Sequence, residues 1–220
     1  MALYRPVADH ALLVEFGTSI TDSAHDDVLA LDQALAAHPF PGLREAIPGF
    51  VNVLVDFDPL VTDHAGVEAH LRVMTQGAAG PARAARVTRE VLVCYENSPD
   101  LAEVARLTGL APEAVIAAHL AGDYSVFMYG FAPGYAYLGG LPKPIQLDRK
   151  PSPLRGIAAG SVIIAGAQCL VTTLTMPTGW WIIGRSPTRI LTGDPARPFL
   201  FDVGDKVRFR RIRSDDEAFR

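Results

Sequence analysis

Apolar and polar positions alternate from Phe50 to Phe57, placing Val51, Val53, Val55 and Phe57 on one face of a strand and Asn52, Leu54 and Asp56 on the other. Pro48-Gly49 divides this strand from a partner at Leu43 to Ile47, and an earlier pair, Leu3 to Val7 and Ala11 to Phe16, is joined at Ala8-Asp9-His10. Between the pairs, Val28, Leu31 and Leu35 recur at helical spacing after a cap at Thr21 or Asp22, and Pro39 and Pro41 end that helix. A second helix opens near Thr62-Asp63 and buries Val67, Leu71 and Met74. The order ββαββα predicts an α+β sandwich over residues 1–80.

The periodicity then lapses. Gln76 to Ala85 is rich in small residues and has no apolar face, which reads as a linker and places a second domain at 86–220. That domain opens with a strand, Arg89 to Tyr95, and a short helix pair within 100–121 turned at Gly109. Short apolar runs broken by Gly and Pro follow: Tyr124 to Phe131, Ser161 to Ala165, Cys169 to Leu174, Trp180 to Ile183, Arg189 to Leu191 and Lys206 to Ile212. They predict a closed or nearly closed antiparallel barrel. In the last run Val207 and Phe209 alternate with Arg208 and Arg210, a solvated basic face. The stretch Phe127 to Pro142 holds four glycines, two prolines and five aromatics, and reads as a buried strand entering a shaped loop. Such a loop turns a barrel corner or presents backbone N–H groups to a ligand.

With 220 residues, 49% of them hydrophobic, the chain is long enough for a substantial core. A net charge of -4 gives no electrostatic footprint for nucleic acid or an anionic membrane, so a small molecule or a protein is the expected partner. No apolar run reaches bilayer-spanning length and no leader pattern opens the chain, which points to a cytoplasmic protein. Cys94 and Cys169 match no zinc or redox spacing and read as buried free thiols.

Few side chains stand out as chemistry. The helix pair has the outline of a DNA reader, but its second helix offers Glu113 and His119 and no Arg, Lys, Asn, Gln, Ser or Thr to reach bases. His119 reads as a capping or packing residue. Asp56, Asp58, Asp63 and His64 form an acidic cluster that suits turn and cap chemistry better than a metal ion, and no metal is expected. No phosphate loop, His-Glu-x-x-His or nucleophile elbow is present, so the catalytic residues are unassigned. Cys169 has no histidine nearby in sequence to activate it. Gln168, among small neighbours, can pair with an amide or carboxylate ligand or serve as a turn amide. Arg185, after the Trp180 to Gly184 strand, can clamp a carboxylate or phosphate or serve as a surface cation.

Gly130-Phe131-Ala132-Pro133-Gly134-Tyr135-Ala136-Tyr137-Leu138-Gly139-Gly140-Leu141-Pro142 resembles the signature of the 5-oxoprolinase B subunit family, also named allophanate hydrolase subunit 1, which includes an inhibitor of a sporulation histidine kinase. Asp9 to Gly17, Val93 to Tyr95, Ala159 to Val162, Gly179-Trp180, Ile183 to Pro187 and Val203 to Phe209 fall in the family's order. The resemblance covers almost the whole chain. It implies an N-terminal α+β domain, a cyclophilin-like β-barrel, and a partner, the homologous C subunit (allophanate hydrolase subunit 2-like). With a third subunit and ATP, whose site is not located in this chain, the heteromer would open 5-oxoproline to glutamate. Allophanate hydrolase or urea carboxylase-type chemistry and a non-catalytic kinase-inhibitor module are the alternatives. The resemblance also makes the glycine-rich stretch one wall of a ligand site, shaped by Phe131, Pro133, Gly134 and Tyr137, with Gln168 and Arg185 as binding residues for a small amide or carboxylate. Gly166-Ala167-Gln168-Cys169-Leu170 and Met176-Pro177-Thr178-Gly179-Trp180 depart from the family's usual Gly-Gly-Gln-Thr-Gly and Ser-Pro-Gly-Gly-Trp, both beside that inferred site.

Overall fold

The computed structural model describes residues 2–77 and 87–219. The chain divides into two compact units, Met1–Ala85 and Arg86–Arg220. The linker read at 76–85 lies, from residue 78 on, outside the described residues.

The first unit runs β1 (Leu3–Val7), β2 (Ala11–Glu15), α1 (Asp22–Ala37), β3 (Leu43–Pro48), β4 (Asn52–Phe57) and α2 (His64–Gly77). The strands form one antiparallel sheet in the order β1-β2-β4-β3. Period-two alternation puts Leu12, Val14, Val53, Val55 and Phe57 on the face that meets Val28, Leu31 and Leu35 of α1 and Val67 and Leu71 of α2. The Thr21 side chain caps α1, accepting from the Ala24 N–H at 3.2 Å. β4 begins two residues later than its apolar pattern, because the Gly49 N–H donates to the Asn52 carbonyl at 2.7 Å and the chain is still turning there.

The second unit contains β5 (Thr88–Val93), α3 (Leu101–Thr108), α4 (Pro112–Leu120), β6 (Tyr124–Tyr129), β7 (Ala136–Gly139), β8 (Leu154–Ile157), β9 (Ser161–Ala165), β10 (Gln168–Val171), β11 (Met176–Thr178), β12 (Trp181–Arg185) and β13 (Lys206–Arg211), with short 3-10 turns at Lys143–Ile145 and Glu217–Phe219. Seven strands make a sheet in the order β12-β9-β10-β7-β6-β13-β5. Its two edges are joined by one bridge, in which Cys94 and Arg185 exchange N–H···O bonds of 2.8 Å each. The sheet is therefore a nearly closed barrel. Every one of its strands sends apolar side chains into the cluster that also holds Val104 and Ala105 of α3 and Val115 and Ile116 of α4. The opposite face, with Ile163, Leu170 and Ile182, is covered by Met176 and Ile157 of the β8–β11 ribbon together with Tyr135 and Trp180.

Three features differ from the pattern reading. The barrel is not wholly antiparallel: β13 inserts between β6 and β5 and runs parallel to β5. Arg189 to Leu191 is no strand but contributes one bridge, Leu191 to Phe199, in a segment where Pro187, Pro195 and Pro198 remove ladder donors. Ala136–Gly139, inside the glycine-rich stretch, is a central strand between β6 and β10. It fits there because the Phe127 ring lies over Gly139, where a Cβ would come within 2.1 Å of it.

Candidate functional site

The β6–β7 loop is built by short backbone bonds, Ala132 N–H to Gly130 O at 2.9 Å and Tyr135 N–H to Ala132 O at 3.0 Å. Gly134 takes φ +70, and so does Phe131, a conformation that costs a side chain about 1–2 kcal/mol. Phe131 is 74% exposed, its ring 5.5 Å from that of Tyr135. Gly134 lies against Leu191, Thr173 and Phe199, and the Pro133 carbonyl accepts from Thr173 Oγ1 at 2.7 Å. Pro133 lines an apolar cavity of about 450 Å³ with Leu191 and Phe199. Tyr137, on β7, continues the aromatic row between Tyr135 and Trp180, with ring separations of 5.8 and 5.9 Å.

Gln168 opens β10 opposite Gly139 and Ala165, whereas Arg185 ends β12 opposite Ser161 and Cys94. Ala165 and Ser161 are the two ends of β9, so Gln168 and Arg185 stand about 13 Å apart along the strand direction. The β6–β7 loop belongs to the Arg185 end, since β7 enters there and reaches Gln168 only at Gly139. The structure thus places Arg185 and the loop on one rim of the barrel and Gln168 on the other.

Arg185 lines a cavity of about 520 Å³ at the seam where the barrel closes. Gly184 makes the close approach of the two edges possible, for a Cβ there would lie 2.7 Å from Val93 Cγ2 and 3.2 Å from the Cys94 carbonyl. The loop after β5 is fixed by Asp100, whose Oδ2 accepts from the Ile182 N–H at 2.7 Å and from Lys150 Nζ at 2.5 Å. The Arg185 guanidinium lies 5.3 Å from the Phe219 ring centroid and has no carboxylate partner among the described residues. Glu96, on the same cavity, accepts from the Ser214 N–H at 3.2 Å and from its hydroxyl, bonds that hold the carboxylate below its ordinary pKa. Ile157 and Ile182 supply apolar wall.

A second constellation escapes any reading of local sequence. His119 is fully buried, with Nδ1 2.7 Å from the Tyr95 hydroxyl and Nε2 3.3 Å from Cys169 Sγ, fifty residues away in the chain. The Tyr124 hydroxyl donates to the His119 carbonyl at 2.9 Å. Burial lowers the imidazole pKa to about 3 and pushes the Cys169 thiol up, so the pair is neutral and serves packing. An approach of histidine to cysteine is visible only once α4 is folded into the barrel.

Elsewhere the acidic cluster performs turn and cap work: Asp58 Oδ1 accepts from the Leu60 N–H and Asp63 Oδ1 from the Gly66 N–H. Among the described residues no group of three His, Cys, Asp or Glu could hold a metal ion. The described helix starts also do not fit a nucleoside triphosphate. Asp22, Glu103 and Glu113 put carboxylates in the first turns of α1, α3 and α4, and Asp63 caps α2, which disfavours phosphates there. No helix among the described residues is long and apolar enough to cross a membrane.

Comparison with known proteins places this geometry. The family model for the carboxyltransferase domain, subdomains C and D, matches residues 2–201. The 5-oxoprolinase B subunit of Bacillus subtilis (strain 168) is 38% identical over 222 residues, spanning 96% of this chain and 92% of the relative. Among solved structures, TTHA0988 superposes with a TM-score of 0.81 at 33% identity, covering 94% of this chain but only 40% of that longer one. The urea amidolyase of K. lactis shares the fold, with a TM-score of 0.78 at 17% identity over 97% of this chain and 15% of its own. The chain belongs to the 5-oxoprolinase B subunit family, whose carboxyltransferase-type C and D subdomains its described units contain.

Proposed function

We propose that this chain is the B subunit of a cytoplasmic, ATP-dependent 5-oxoprolinase that opens 5-oxoproline to glutamate together with a homologous C subunit and a third subunit. The match to the Bacillus subtilis relative of that name, running over 96% of the chain, carries the reading. The domains are an α+β sandwich at 1–80 and a cyclophilin-like barrel at 86–220. Arg185 anchors the substrate carboxylate in the seam cavity, where a guanidinium without a carboxylate partner favours an anion. Phe131, Pro133, Gly134 and Tyr137, on or beside the same rim, form a wall completed by the C subunit, and Gln168 contacts ligand from the opposite rim. The described helix starts carry carboxylates and do not favour phosphates, so ATP is assigned to the assembled complex.

Co-expression with the C subunit and the third subunit, followed by measurement of ATP-dependent glutamate formation from 5-oxoproline, tests the assignment. A complex that assembles and turns over is expected, with KM raised ~10-fold or more by Arg185→Ala. A well-formed complex without turnover removes the substrate. Full turnover with an unchanged KM in the variant removes Arg185 from the site.

A further inference from the structure

The seam cavity carries two opposite charges that are not paired with each other. Arg185 stands at the end of β12 and Glu96 two residues beyond Cys94, the residue bridged to Arg185 across the seam. Directly opposed residues in such a bridge have Cα atoms about 5.5 Å apart, so both side chains spring from the same short stretch of cavity wall. Arg185 rests on the Phe219 ring, and Glu96 Oε2 takes both Ser214 bonds, leaving Oε1 without a protein hydrogen bond among the described residues. The rest of the lining is mainly apolar, including Ile157 and Ile182. A cation and an anion at neighbouring positions of a cavity that also has apolar wall at Ile157 and Ile182 match a molecule with a carboxylate and an ammonium on one carbon and a hydrocarbon remainder.

We infer that the seam cavity binds free α-amino acids as zwitterions, with the α-carboxylate on Arg185, the α-ammonium on Glu96 and the side chain against Ile157 and Ile182. The inference rests on the reading of Arg185 as a carboxylate anchor and adds Glu96 as the second pole. Binding to the full chain is measured by calorimetry with three probes of one shape: L-leucine, 4-methylpentanoate, which lacks the ammonium, and 3-methylbutylamine, which lacks the carboxylate. L-leucine is expected to bind at least ~10-fold more tightly than either analogue, since each deletion removes one charge-assisted hydrogen bond. Glu96→Gln removes the advantage of L-leucine over 4-methylpentanoate, and Arg185→Gln removes that over 3-methylbutylamine. Amide shifts of the unaltered chain on adding L-leucine, confined to residues 94–99, 156–161, 182–186 and 214–219, give a readout that needs no variant. Equal affinity for L-leucine and 4-methylpentanoate, shifts centred elsewhere, or no binding of L-leucine overturns the inference. Turnover of 5-oxoproline by the assembled subunits is a separate measurement, and its presence without L-leucine binding would fault this inference alone.

Discussion

His119 shows how much one buried side chain can decide. With both ring nitrogens engaged and the ring fully buried, it stays neutral in the folded protein down to about pH 3, while the unfolded chain takes up a proton near 6.5. Between those values the unfolded state binds more protons. Stability therefore rises with pH through this window and is lost on acidification from about 6.5 toward 3, at up to ~1.4 kcal/mol per pH unit from this group alone. Urea unfolding near pH 7 and about pH 5 compares the native chain with His119→Gln. The variant is expected to be less stable near neutrality yet to lose less on acidification, and an unchanged slope would mean that His119 is not the group that titrates. The sequence shows His119 only as a histidine near a helix end, a packing or capping residue. Its partners are Tyr95, in the loop after β5, and Cys169, on β10, one on either side of it in the chain, a pairing that periodicity does not encode.

At the level of elements, legibility follows the strength of alternation. β9 and β13 carry clear apolar patterns and are readable in place, with Arg211 ending β13 where the alternation breaks, and β4 is readable but for its first two positions. β7 is hidden because the glycines at its end, Gly139 and Gly140, answer to neighbours rather than to strand propensity. Gly139 accepts the Phe127 ring, and Gly140, at φ +99, would bring a Cβ to 2.1 Å from the Asp123 carbonyl. Gly166, at φ +54, has open space around it. Three alanine substitutions should separate these causes. Gly166→Ala is expected to cost about 1–2 kcal/mol for the left-handed backbone alone. Gly139→Ala should cost ~1–3 kcal/mol by overpacking a buried ring, and Gly140→Ala most of all, because it combines both penalties against rigid backbone. Denaturant midpoints rank them, and Gly166→Ala as the most damaging of the three would refute this account. The same limit applies to the candidate site. Arg185 is readable as a pocket-mouth cation after a strand, but its cavity is made by a barrel closure that depends on Cys94, ninety-one positions away, and on Phe219. Gln168 lies at the far end of β9 because the hairpin turn at Gly166-Ala167 puts it there, a consequence of register that residue type alone does not reveal.

For the molecule as a whole, the division of the apolar core has a consequence for folding. The cluster built on Leu12, Val28, Val53 and Phe57 draws all its buried members from residues before 72. The clusters around Val126, Ile164 and Cys169, and around Ile163 and Leu170, draw theirs from residues after 90. A composition shift at 76–85 marks the change in the sequence, whereas the strand order β12-β9-β10-β7-β6-β13-β5 has no counterpart in it, because β13 reaches its place between β6 and β5 from the far end of the chain. A polypeptide of residues 86–220 retains every strand of the barrel and the two helices packed with it, and its length falls in the usual domain range of about 100–150 residues. It is expected to fold alone and unfold cooperatively. Trp180 and Trp181 both lie within it, so near-ultraviolet circular dichroism reports on its packing directly. A native-like aromatic signal lost in the same urea transition as the far-ultraviolet signal would establish autonomy. A product that keeps its secondary structure but shows no aromatic signal and binds ANS would instead show that the barrel's side-chain packing depends on residues 1–85.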